Sequence, residues 1–121
     1  MQYLLLIYHS QAEFLKTSES DMATIYQQYG QLREELSGKS QFLGGNQLGP
    51  TTTATSVRVR EGKRVVTDGP FAETKEQLAG YFLVEAKDSD EAIAIAARIP
   101  SARNGTIEVR PIAVRGKVAQ A

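Results

Sequence analysis

The chain opens on a nearly unbroken apolar run, Tyr3-Leu4-Leu5-Leu6-Ile7, within a stretch from Gln2 to Tyr8. A short continuous run of this kind fits a strand covered on both faces rather than one with a wet side. From Ser18 to Ser37 the rhythm changes. Met22, Ile25, Tyr26, Tyr29, Leu32 and Leu36 recur at helical spacing and form one stripe. Ser18 or Ser20 suits the N-cap, Glu19 and Asp21 suit the positive end of the helix dipole, and Gly38 is placed to end the helix at C′. Gly30 lies mid-helix, where glycine costs about 1 kcal/mol relative to alanine. A close approach of helix to sheet would explain it.

The segment Gln41 to Gln47 predicts a short strand interrupted by Gly44 and Gly45, and Leu48-Gly49-Pro50 breaks it. Thr52 to Thr67 predicts a hairpin. Val57 and Val59 alternate with Ser56, Arg58 and Arg60, Val65-Val66 follow, and Glu61-Gly62-Lys63 is the link. Thr51 to Thr53 and Thr55 are β-branched and favour extended backbone. Gly80 to Ala86 is a second, mostly apolar strand. Asp88 with Glu91 is a capping-box pattern opening another helix, whose apolar face is Ala92, Ile93, Ala96, Ala97 and Ile99. Pro100 stops that helix, Asn104-Gly105 is a turn, and Thr106 to Val114 is the last strand. Pro111 inside it marks a sheet edge, because proline cannot donate to a ladder.

With the hairpin set aside, the order is β-α-β-β-α-β, an α+β fold of the ferredoxin-like, split βαβ kind. Its central strands are the first and third, where the continuous apolar runs fall, and its fourth is the edge that carries the proline. Two helices cover one face of such a sheet. The apolar groups on the other face need a cover, and the simplest is the same face of a second copy. The expectation is a homodimer with sheets face to face, a dimeric α/β barrel. The alternative is that the hairpin folds over the open face.

Length and composition sharpen this in a few places. A chain of 121 residues fits one domain, taken as 1–115, with a frayed tail at 116–121. No cysteine removes disulfides, thiolate catalysis and thiolate metal sites, and one histidine removes any site needing several His ligands in one chain. Lys+Arg 14 against Asp+Glu 14 leaves no footprint for nucleic acid or an anionic membrane, so neither is expected as a partner. The first apolar run lacks a basic region before it and a cleavage site after it, and is far too short to span a bilayer; the expected location is cytoplasmic.

The segment Thr67-Asp68-Gly69-Pro70-Phe71-Ala72-Glu73-Thr74-Lys75-Glu76, followed by Leu78, Gly80 and Tyr81, resembles the signature of the DGPF branch of the YCII-related proteins. Tyr3 to Tyr8, Ala54 to Arg58 and Ile107 to Ile112 extend the resemblance over nearly the whole chain. It implies a dimeric α/β barrel of ferredoxin-like subunits, in agreement with the pattern above. For YCII-like relatives it also implies a His–Asp pair in the cleft, with the histidine on the first helix. Here the helix from Asp21 to Ser37 has no histidine, so that pair cannot be carried over. The branch is further associated with sigma factors of the extracytoplasmic-function type.

Candidate chemistry gathers around the motif. Gly69 can take a positive φ, Pro70 fixes the next φ, and Asp68 can cap the turn, which explains Asp-Gly-Pro as a backbone device. Asp68, Glu73, Lys75 and Glu76 also place four ionisable groups around Phe71, where a carboxylate can acquire a tuned pKa. His9, at the end of the first strand, has a reference pKa suited to acid–base work. Asp68, His9 and Lys75 are therefore the catalytic candidates. Phe71, Glu73, Glu76 and Arg110 are the ligand-binding ones, Arg110 as a bidentate clamp for a carboxylate or phosphate or as half of a cross-strand ion pair at the dimer rim. Arg58, Arg60, Lys63 and Arg64 give the hairpin a basic tip, read as a solvated edge. No metal site, phosphate loop or dinucleotide fingerprint is present in the sequence, and no cofactor is expected. The leading expectation is a cofactor-free enzyme performing proton transfer, isomerisation or lyase chemistry on a small molecule, in an apolar pocket between sheet and helices with Asp68 and His9 or Lys75 at its mouth. The alternative is a ligand-binding or regulatory dimer acting with a transcription factor; a purely structural interaction domain is a third reading.

Overall fold

The computed structural model describes residues 1–114; the expected tail at 116–121 lies outside the described residues. The elements are β1 (Gln2–His9), α1 (Gln11–Leu15), α2 (Glu19–Gly38), β2 (Phe42–Gln47), β3 (Thr55–Arg60), β4 (Lys63–Asp68), β5 (Gln77–Glu85), α3 (Ser89–Ala97) and β6 (Thr106–Pro111). The main sheet is antiparallel in the order β2-β5-β1-β6, and β3-β4 forms a separate two-stranded sheet. The main order is that of the ferredoxin-like unit, with the two apolar strands central and the Pro111 strand at an edge.

Alternation on the central strands divides the two faces. Tyr3, Leu5 and Ile7 of β1 and Phe82 and Val84 of β5 are buried against the helices. Leu32 and Leu36 of α2, together with Ala92, Ile95, Ala96 and Ile99, close that core. Leu4, Leu6 and Tyr8 face the other way and are half-buried, beside Tyr81 and Leu83. The hairpin does not fold over that second face. It stands apart, with Val57, Val59, Val65 and Val66 exposed.

Local backbone chemistry explains most element ends. Ser18 Oγ accepts from Asp21 N–H at 3.2 Å and caps α2. Gly38 is the last residue of α2 and not C′ as expected. Ser40 takes the left-handed position (φ 57°), with Ser40 N–H bonded to Ser37 O at 3.0 Å and Gln41 N–H to Leu36 O at 2.8 Å. Those two bonds are a Schellman closure with serine at C′. Asp88 Oδ1 accepts from Glu91 N–H at 2.9 Å, but the Glu91 carboxylate accepts from Lys87 N–H at 3.0 Å instead of completing the box at Asp88. The buried stripe of α3 includes Ile95, while Ile93 is exposed, so the inward spacing runs 92, 95, 96, 99.

Three further expectations change. Thr51–Thr53 forms a 3-10 turn rather than strand, closed by Thr53 Oγ1 and N–H on the Pro50 carbonyl. The last strand ends at Pro111, short of Val114. A Cβ at Gly30 would meet nothing within 4 Å, so close helix–sheet packing is not its cause. The hairpin link is the two residues Glu61-Gly62, both at positive φ (52° and 74°), the type I′ geometry that matches strand twist.

Candidate functional site

A bulge at the end of the central pair opens the site. Ile7 pairs with Gly80, but Tyr8 pairs with Leu78, so Ala79 is extra on β5. Directly paired residues share a face. The shift therefore turns Leu78 to the outer face with Tyr8 and brings Gln77 inward opposite His9. An apolar plug is thus removed from beneath His9. The neighbouring inward positions are Gly80 and Gly45, which carry no side chain. A Cβ on Gly45 would meet Tyr81 O at 2.8 Å and the Phe82 ring at 2.9 Å, and one on Gly80 would meet Asn46 O at 2.7 Å. The result is a cavity of about 150 Å³ between sheet and α2. A dry apolar cavity of about that volume accommodates a benzene ring.

Its walls come from β1, α1, α2, β2, β5 and the turn after α3. Ile7, Ile25 and Phe82 make the apolar floor, and His9 and Phe14 stand at one end. The His9 and Phe14 rings stack with centroids 4.5 Å apart and planes 23° from parallel. Burial pushes the imidazole below its usual pKa of 6.5, opposed by the Glu76 carboxylate, which favours the neutral ring. Tyr29 Oη and Ser101 Oγ share a 2.7 Å hydrogen bond, and the Tyr29 ring meets Phe82 edge-on at 6.0 Å. Burial pushes the Tyr29 phenol up, and the Ser101 bond partly opposes it. At the rim Gln47 Nε2 donates to Tyr26 Oη at 3.2 Å; Asn46, paired with Tyr81, turns its amide to the outer face, where Nδ2 donates to Tyr81 Oη at 2.8 Å. Arg33 lines the cavity from α2. A second cleft adjoins it beyond His9, Phe14 and Ser101, bounded by Glu13, Gln28 and Arg103.

A neutral imidazole and a phenol hydrogen-bonded to a serine, facing an apolar ring-sized space, can take up, hold and return a proton beside a weakly solvated ligand. Of the catalytic and ligand-binding candidates, His9 alone lines this cavity. Glu76 is near it: its carboxylate biases His9 and accepts from Thr106 Oγ1 at 2.8 Å. Asp68 is the exposed last residue of β4, and Phe71, Glu73 and Lys75 lie on the exposed connection from β4 to β5, with Phe71 82% exposed. The motif turn is held by Gly69 N–H on Ala54 O at 2.7 Å and Ser56 Oγ on Gly69 O at 2.8 Å, with Gly69 at φ 93°. Arg110 stands on the outer sheet face opposite Leu4. Glu108 on the same face takes its hydrogen bond from Tyr8 Oη at 3.3 Å, not from Arg110. Among the described residues no group of three or more His, Asp or Glu is placed to hold a metal ion, and no helix is long and apolar enough to cross a membrane.

Sequence reasoning took Tyr29 as a core residue of the helix stripe and passed over Ser101, Arg33 and Phe14. The available signal was Tyr29 and Arg33, one helical turn apart, carrying polar tips beside the inward stripe.

The YCII-related domain family matches residues 1–114. The chain belongs to that family. A relative within reach is an uncharacterised protein of Rhizobium meliloti (strain 1021), 46% identical over 69 residues, which is 55% of this chain and 56% of that one. The matched part thus spans little more than half of the relative's length. In this YCII-related chain α1 and α2 carry no histidine, and the cleft histidine comes from the end of β1.

Proposed function

We propose that this YCII-related protein, of the DGPF branch by its motif, binds a small apolar molecule in the His9 cleft and moves a proton on it without a cofactor. The observation that carries the reading is the pairing of a desolvated, neutral His9 with a ring-sized apolar cavity that also contains the Tyr29–Ser101 hydrogen bond. His9 is the acid–base group, Phe14 orients its ring, and Tyr29 holds the ligand's polar atom. Asp68 and Lys75 serve the turn and the surface in this reading, and Arg110 the outer sheet face.

The working unit is a homodimer joined through the outer sheet faces. Leu4, Leu6 and Leu83, with Tyr8 and Tyr81, form the apolar centre, and Glu108, Arg110 and Asn46 the polar rim. The detached hairpin leaves that face open, which favours a second copy as its cover.

A thermal-shift screen of small neutral and acidic metabolites on wild type, His9→Gln and Asp68→Asn tests the site. Ligands that stabilise wild type are expected to lose their effect on His9→Gln and to keep it on Asp68→Asn. The reverse order would move the site to the motif loop. Sedimentation should give twice the 13.3 kDa chain mass, and a one-chain mass at micromolar concentration would remove the dimer.

A further inference from the structure

We infer that the ligand of this cleft is a small monoanion built on one ring or a short branched chain, a carboxylate of about benzoate's size, with Arg33 as its anchor. The inference rests on the cleft being a ligand site and adds what kind of ligand it selects.

The charge of the wall is one-sided. The chain carries as many acidic as basic residues, yet no Asp or Glu lines the cavity. Arg33 is the one formally charged side chain among the described lining residues. Its guanidinium has no carboxylate within ion-pair distance among the described residues. The nearby acid Glu35 is engaged with Arg98. The neutral groups are partly engaged: Gln47 donates to Tyr26, and Tyr29 and Ser101 share one bond, which leaves one hydroxyl proton of that pair for a ligand. Beside the His9 ring, which takes part in none of the side-chain hydrogen bonds above, the wall offers a planar cation without a carboxylate partner, and its geometry matches a carboxylate fork.

Position and size complete the argument. Tyr29 and Arg33 are one turn apart on α2, and Ile25 is a further turn back, beside His9 and Phe14. Eight residues of helix rise about 12 Å, so the cation and the imidazole bracket opposite ends of the cavity. A ring lying on Ile7 and Phe82 puts its carboxylate at Arg33 and its far edge toward His9. The cavity admits about one benzene-sized body between Arg33 and His9. A single cation suits one negative charge better than a phosphate dianion, and it opposes an ammonium ligand.

The test is a set of nuclear magnetic resonance titrations at pH 7.5 and low salt with benzoate, benzamide, benzylammonium and toluene. Wild type, Arg33→Gln and Arg33→Lys are compared. Arg33 is exposed, so its replacement leaves the core untouched. Wild type should bind benzoate at least tenfold more tightly than benzamide and benzylammonium weakest of the three. Arg33→Gln should erase the benzoate preference while leaving benzamide unchanged, and Arg33→Lys should keep part of it. Equal binding of benzoate and benzamide, or a preference that survives Arg33→Gln, overturns the inference while the cleft stands. If toluene and benzamide also leave the cleft resonances unmoved, the reading of the cleft as a ligand site fails, and this inference fails with it.

Discussion

Replacing Gly105 with alanine should be among the most damaging single-methyl changes in this protein. Gly105 opens β6, and its N–H bonds to Ser101 O at 2.7 Å. A Cβ built on it would lie 2.1 Å from Tyr8 O, 3.0 Å from Ser101 O and 3.2 Å from the His9 Cα. All three are backbone atoms, so no rotamer change relieves the contact, and the end of β1 or the 104–105 turn must retreat by more than 1 Å to reach ordinary van der Waals separation. Overpacking of a tight site costs roughly 1–3 kcal/mol. Losing the Gly105–Ser101 bond and the terminal Tyr8–Thr106 pairing adds about 1 kcal/mol. The expected loss is about 3 kcal/mol. For a chain of this size each kcal/mol moves Tm by roughly 3–6 °C, so Tm should fall by about 10–15 °C. Urea melts read by circular dichroism give the free energy, and calorimetry gives Tm. Because the retreating segment carries His9 and Ser101, cleft resonances should move more than those of the hairpin. A loss under 1 kcal/mol, with cleft resonances unchanged, would refute the packing described for this turn.

Ser40→Gly should stabilise by about 0.5–1 kcal/mol, because a left-handed backbone strains serine and suits glycine; denaturant midpoints check it, and an unchanged or lower midpoint contradicts the C′ assignment. Gly30→Ala should also raise stability by about 0.5–1 kcal/mol, since a mid-helix glycine here has open space for a methyl; destabilisation would show that α2 packs more closely than described. The lowered pKa of His9 gives a pH effect with a definite sign. Below 6.5 the unfolded chain binds a proton that the folded cleft resists, so this contribution is full above 6.5 and is lost as pH falls toward the depressed folded value. Unfolding midpoints across that window should drop for wild type and flatten for His9→Gln, and parallel profiles would contradict it.

Much of the fold was legible because it rests on local rules. Unbroken apolar runs in β1 and β5 named the central strands, Pro111 named an edge, and Ser18 and Asp88 named helix starts through their side-chain oxygens. Where several side chains compete for one turn, the reading slipped. Thr51–Thr53 is β-branched, yet its hydroxyl bond to the Pro50 carbonyl closes a 3-10 turn. Helix α1 is five residues long, too short to show a helical period.

The cleft was less legible for a different reason. Periodicity tells which residues face inward but not where their neighbours leave a gap. The gap here comes from the extra residue at Ala79 and from glycines at 45 and 80, and its polar pair, Tyr29 and Ser101, is 72 residues apart in sequence. The motif loop attracted attention because its charges are adjacent in sequence. His9 alone among the catalytic candidates combines partial burial, an aromatic stack and a cavity.

The most direct test of that assignment is the titration of the His9 ring protons by nuclear magnetic resonance, with and without saturating benzamide. A midpoint below 6.5, together with ring shifts on addition of the probe, is the predicted result. A midpoint at or above 6.5 with no response to the probe would contradict the account.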